Sequence, residues 1–146
     1  MALKGPKEIA TYEIDMHENL TEGRPSRWAI GNALTESRVL HARQLCDIFL
    51  SRGERDDVKL ANLVAEHMQS RTLAELIKDL REKYGNRTKV GSPCWVFNKK
   101  MFHPTVERTD MHDYSPALKI VEPILKKIVA EIETLTHKTF QRNPRF

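Results

Sequence analysis

Leu118, Val121, Leu125, Ile128, Ile132 and Leu135 recur at intervals of three or four residues near the end of the chain, the spacing that lines side chains along one face of an α-helix. No segment alternates apolar and polar residues between hairpin turns, and no unit of roughly 20 to 50 residues repeats. These patterns predict an all-α fold, a bundle of about five to six helices. At 146 residues the chain has the length of one domain, expected to span residues 1–138, with 139–146 as a basic tail. The apolar stripe suits either a core or a dimer contact; the core comes first, because one domain needs its longest apolar helix inside. Pro123 falls in the second turn of this helix and removes a backbone donor there, which predicts a kink or a later start.

The other helices announce themselves by caps and periodicity. Ile9, Tyr12, Met16 and Leu20 give a helix from about Pro6 to Leu20. Ser26 can cap a long helix over 27–51, whose apolar face is read from Ile30, Leu34, His41, Leu45, Ile48 and Phe49. Gly31 within it points to close helix packing. A third helix is expected from about Asp56 to Gln69, carried by Val58, Leu60, Leu63, Val64 and Met68. Thr72 and Glu75 have the spacing of a capping box before Leu73, Leu76, Ile77 and Leu80, with a stop before Gly85. Ser92–Pro93 and Ser115–Pro116 pair a capping hydroxyl with a first-turn proline. The former should open a short helix through Phe102, the latter the final one.

Charge is modestly positive, +4 overall, but unevenly spread. Residues 78–108 carry eight cations (Lys78, Arg81, Lys83, Arg87, Lys89, Lys99, Lys100, Arg108) and three anions (Asp79, Glu82, Glu107). Lys138, Arg142 and Arg145 add to this near the C-terminus. Such segments either meet a polyanion or are solvated surface. The N-terminus lacks an apolar signal core, and no run approaches the ~20 apolar residues of a membrane span. A cytoplasmic, membrane-free protein is therefore expected. Cys46 and Cys94 have neither a CxxC arrangement nor zinc spacing, and read as buried free thiols of a reducing compartment.

Chemistry concentrates in two places. In FNKKMFHPTVER, residues 97–108, Pro104 ends a helix at His103, where the negative end of the helix dipole favours imidazolium. Lys99 and Lys100 share its side of the helix, whereas Asn98 stands about 140° away. The histidine and its lysines suit a phosphate contact, or equally a structural turn. In ESRVLHARQL, residues 36–45, His41 shares the leucine face and is expected to be buried and hydrogen-bonded, with Glu36, His41 and Arg43 as a candidate polar relay to the 98–103 helix. Metal centres are poorly matched. No Glu-x-x-His pair occurs, and the Glu13/His17 and Glu133/His137 spacings suit surface pairing; His103, Glu107, His112 and Asp113 are a generic set. GxxxxGK[ST], GxGxxG and GxSxG are absent, and no cofactor or metal is expected. Trp28, Trp95 and Phe102 could line a small-molecule cavity, though core packing is their ordinary use.

ALTESRVLHARQLCDIFL (33–50), RDDV (55–58) and NKKMFHPTVER (98–108), in that order and over about half the chain, resemble HEPN-like helical proteins. The resemblance implies an α-helical, usually dimeric protein. Many such proteins are metal-independent ribonucleases of toxin–antitoxin or phage-defence systems, and others are catalytically silent. It would make His103 the acid/base, Lys99 and Lys100 phosphate contacts, and Asn98 and Arg108 orienting groups. The family's arginine is replaced, since Asn98 or Lys99 stands at its position, and neither supplies a bidentate guanidinium. The resemblance thus implies RNA or phosphate-ligand binding with weak or lost cleavage. A second reading is a non-catalytic interaction protein acting through dimerisation or a protein partner.

Overall fold

The computed structural model describes residues 6–21, 26–98 and 114–140. Among these the chain forms six α-helices and no strand: α1 (Pro6–Thr21), α2 (Arg27–Phe49), α3 (Leu60–Leu63), α4 (Arg71–Tyr84), α5 (Pro93–Val96) and α6 (Ser115–Thr136). The all-α expectation holds. The core is built around α6, which packs most extensively on α4 and also meets α2 and α5; α1 lies principally against α2.

The α6 stripe is core. Ala117, Leu118, Val121, Ile124, Leu125, Ile128 and Ile132 are buried along it. Opposite, α4 presents Leu73, Ile77, Leu80 and Tyr84 at intervals of four, three and four residues, all buried. Each large aliphatic side chain so buried contributes about 1.5–3 kcal/mol. The helix runs unbroken from Ser115 through Pro123, so the proline does not delay its start. Pro123 is exposed, where the carbonyl it leaves unpaired can face water.

Helix α2 corrects the sequence reading. Its core-facing residues are Ala29, Val39, Ala42, Cys46 and Phe49, about 100° around the helix from the face anticipated. On the anticipated face Ile30 is 43% and Leu34 66% exposed, and His41 is exposed too, while Leu45 and Ile48 pack only partly against the core. Two apolar stripes run along α2, and the tertiary fold covers one. Gly31 is exposed and a Cβ there would meet nothing within 4 Å, so close packing does not explain it.

Two further boundaries differ. The expected helix over 56–69 reduces to α3 and a single 3-10 turn at Glu66–Met68. Only Leu60 and Val64 are buried there; Val58 and Met68 are 51% and 42% exposed. Without a continuous buried face a longer helix has little to hold it. Helix α4 starts before the Thr72/Glu75 signature: Ser70 is the N-cap, accepting the Leu73 backbone N–H at 3.0 Å, and Glu75 instead pairs with Arg71 Nε at 3.1 Å. The Ser26 and Ser92 caps are as read, accepting from Ala29 N and Trp95 N.

The turn between α4 and α5 is closely tied. Asn86 Oδ1 accepts from Thr88 N, Thr88 Oγ1 and Lys89 N, while Ser92 Oγ donates to the Asn86 carbonyl. It begins at Gly85, whose φ of +73° suits glycine and whose Cβ, if present, would stand 2.5 Å from Ser92 Cβ. That near-contact brings Cys94 back onto the ends of α2 and α4.

Candidate functional site

Of the residues assigned to the His103 site, the described region contains Asn98 alone. Lys99, Lys100, His103 and Arg108 lie outside the described residues, as do Phe102, Glu107, His112 and Asp113. Asn98 is buried, and its Nδ2 donates to the Cys94 carbonyl at 2.8 Å with Cys94 Sγ 3.7 Å away. Its amide nitrogen therefore turns back on α5.

In the second cluster His41 is not buried, and residues 99–103 of the helix to which a relay would run lie outside the described residues. Glu36 and Arg43 are half-buried, but His41 is exposed, and its side chain has no hydrogen-bond or ion-pair partner among the described residues. His41 and Glu36 are five residues apart, hence about 140° apart around α2. The expectation of a buried, satisfied histidine fails because α2 is rotated to put Ala42 and Cys46, not His41 and Leu45, at the centre of the core. Trp28 is 49% exposed on α2 and Trp95 packs partly against the core, while Phe102 lies outside the described residues.

His41 does, however, stand in a groove. Arg38, His41 and Leu45 from α2 face Lys119, Lys126 and Val129 from α6 across an open space of about 870 Å³. Arg38 bridges its floor, donating Nε to Glu122 Oε2 at 2.8 Å and a second guanidinium nitrogen to Oε1. That ion pair neutralises Arg38 within its own chain. Upstream the groove continues into the uncovered stripe, since Leu34 and Ile30 lie seven and eleven residues before His41, two and three helical turns along the same side.

A second constellation escaped the sequence reading altogether. Cys46 and Cys94 are free and buried, and both act on the hydroxyl of the fully buried Tyr84. That hydroxyl has no oxygen or nitrogen hydrogen-bond partner among the described residues. The Cys94 thiol, a weak acceptor, adjoins it. Arg52 covers the cluster: its Nη1 is 3.9 Å from Cys94 Sγ and its guanidinium lies 5.4 Å from the Tyr84 ring centre. Desolvation pushes the Cys46 thiol and the Tyr84 hydroxyl well above their ordinary pKa values, so both are protonated at neutral pH. Asp47, next along α2, is raised chiefly by partial burial, against the nearby charges of Arg43, Arg87 and Arg52. The apolar contexts of Cys46 and Cys94 gave burial, but nothing in sequence spacing joins residues 46, 52, 84 and 94.

Among the described residues no group of three or more His, Cys, Asp or Glu side chains could hold a metal ion, and no helix is long and apolar enough to cross a membrane. No protein-family model, curated protein or solved structure matches the chain.

Proposed function

We propose that this chain is a non-catalytic helical interaction protein that pairs with a second copy of itself through the uncovered face of α2. The observation that carries this reading is the stripe Ile30, Leu34, His41, Leu45: apolar where it is most exposed, and opening into an apolar groove at its other end. Exposed apolar stripes of this kind mark interaction surfaces. The stripe is symmetric about the midpoint between Ser37 and Arg38. Two α2 helices crossing antiparallel there set Ile30 against Leu45 of the partner subunit, and Leu34 against the partner's His41. Each copy thereby inserts its exposed residues into the other's groove, an isologous contact that closes. Arg38 nears the axis, but Glu122 has already neutralised it, so the two copies of Arg38 bring no net like charge there.

Light scattering after size exclusion tests this directly. A dimer of the 16.9 kDa chain is expected, and Leu34→Glu, at a position 66% exposed, should give a folded monomer. A native chain that stays monomeric at about 100 μM would sink the pairing. Binding of an acidic amphipathic helical peptide to such a monomer would instead assign the groove, with Lys119 and Lys126 on its rim, to a different protein.

A second reading keeps the RNA or phosphate ligand. It is favoured by the exposed cations Lys78, Arg81, Lys83, Arg87 and Lys89 on the last turns of α4 and the turn that follows, of which Lys83 is paired with Asp79. On this reading, that of a HEPN-like protein, His103 with Lys99, Lys100 and Arg108 would complete the surface. A labelled mixed-sequence RNA in EDTA discriminates. Salt-sensitive binding lost in Arg81→Glu/Arg87→Glu would support it, and cleavage lost in His103→Ala would make the chain a ribonuclease. The absence of both would remove it.

A further inference from the structure

The cluster of Cys94, Tyr84, Arg52 and Asn98 has the makings of a modification site. A buried tyrosine hydroxyl without a partner carries a desolvation penalty, and such groups call for an explanation. Tyr84 is 0% exposed and its orphaned hydroxyl adjoins the Cys94 thiol. What it lacks is an oxygen acceptor. Around the same sulfur stand two further donors, Arg52 Nη1 at 3.9 Å and Asn98 Nδ2 at 3.7 Å. The Arg52 guanidinium places a positive charge and a donor where an oxygen bound to this sulfur would carry partial negative charge. Arg52, whose Nη1 lies 3.9 Å from this sulfur, is itself exposed. Cys46, in the same core, differs: it is fully buried, and desolvation holds it as the thiol.

We propose that Cys94 is oxidised by hydroperoxides to a sulfenic acid, whose oxygen takes up the unused hydrogen bond of Tyr84 and lies against the Arg52 guanidinium. In this step the Cys94 sulfur gives up its proton and attacks one peroxide oxygen. The S–O bond forms as the O–O bond breaks, and the departing oxygen leaves as hydroxide or alkoxide and takes up the proton released from the thiol. Sulfur loses two electrons and the peroxide gains them. Cys94 is the reacting residue; Tyr84 and Arg52 position and hold its product. The added oxygen supplies the acceptor that the reduced cluster lacks, which argues for retention of the sulfenic acid over onward oxidation.

The experiment is oxidation of the folded full-length chain with hydrogen peroxide in the presence of dimedone, followed by peptide mass spectrometry, with the urea-unfolded chain as reference. The expected result is a dimedone adduct on Cys94 and none on Cys46, whereas the unfolded chain labels both. Arg52→Ala, a change at an exposed position, should lower the adduct yield several-fold. Tyr84→Phe keeps the packing and removes only the hydroxyl; it should shift Cys94 from sulfenic toward sulfinic acid, a ratio that a purely structural tyrosine would leave unchanged. Two results would overturn the proposal: Cys94 unlabelled in the folded chain under peroxide that labels the unfolded one, or Cys46 and Cys94 labelled equally.

Discussion

Ser70 Oγ donates to Glu131 Oε1 at 3.0 Å while accepting the Leu73 backbone N–H at 3.0 Å. One hydroxyl thus starts α4 and fastens that start to the later turns of α6, the most extensive helix pair of the fold. Ser70→Ala removes both bonds and should destabilise the protein by about 1–2 kcal/mol. Ser70→Asp retains a capping oxygen but sets a carboxylate against Glu131, and should recover only part of that loss. Urea midpoints of the two variants at pH 7 provide the check; equal stability of Ser70→Ala and the native chain would refute the dual role.

Gly85 and Gly91 make a matched pair, with φ of +73° and +85°. A Cβ at Gly91 meets nothing, while one at Gly85 meets Ser92 Cβ at 2.5 Å. Gly91→Ala should therefore cost only the backbone strain, about 1 kcal/mol, and Gly85→Ala about 2–3 kcal/mol or more. Thermal or urea unfolding of both variants measures the difference. Because the turn at Gly85 also brings Cys94 to Tyr84, Gly85→Ala should additionally raise the labelling of Cys46.

Asp47 gives the stability curve a pH dependence with a definite sign. Its folded-state pKa is raised, chiefly by desolvation. A carboxyl raised on folding favours the folded state most when protonated, below its unfolded pKa of about 3.9, and that advantage is lost as pH rises through the folded value. Asp47→Asn should accordingly raise the melting temperature at pH 7, with the gain shrinking below about pH 4. An identical gain at pH 3 and pH 7 would show that ionisation of Asp47 is not its source.

Much of the helical framework was legible before any tertiary contact was considered. The Ser26 and Ser92 caps, the α4 and α6 stripes and the stop at Gly85 are local signals, carried by hydrogen bonds and apolar spacing within one or two turns. The misreadings occurred where local signals were ambiguous. Thr72/Glu75 had the right spacing for a cap, but Ser70 could reach both Leu73 N and Glu131 on α6. The 56–69 segment had enough apolar residues for a helix, yet the core buries only Leu60 and Val64 among them, with Leu63 packed partly against it.

The sequence by itself determined that this chain is helical, which residues cap α2 and α5, and which face of α6 is apolar, because period and capping chemistry act within a single element. Only the tertiary structure decided which of the two apolar stripes on α2 enters the core. Both have helical spacing, and the choice falls to the shape that α6 and α4 present: Ala42 and Cys46 fit against α6 and α4, leaving Leu34 and His41 outside. The same packing gathers Cys46, Arg52 and Cys94 around the Tyr84 hydroxyl, which has no oxygen or nitrogen partner among the described residues. Periodicity names a face but not the neighbour that covers it, and residues 48 positions apart, as Cys46 and Cys94 are, become neighbours through the way the intervening helices stack.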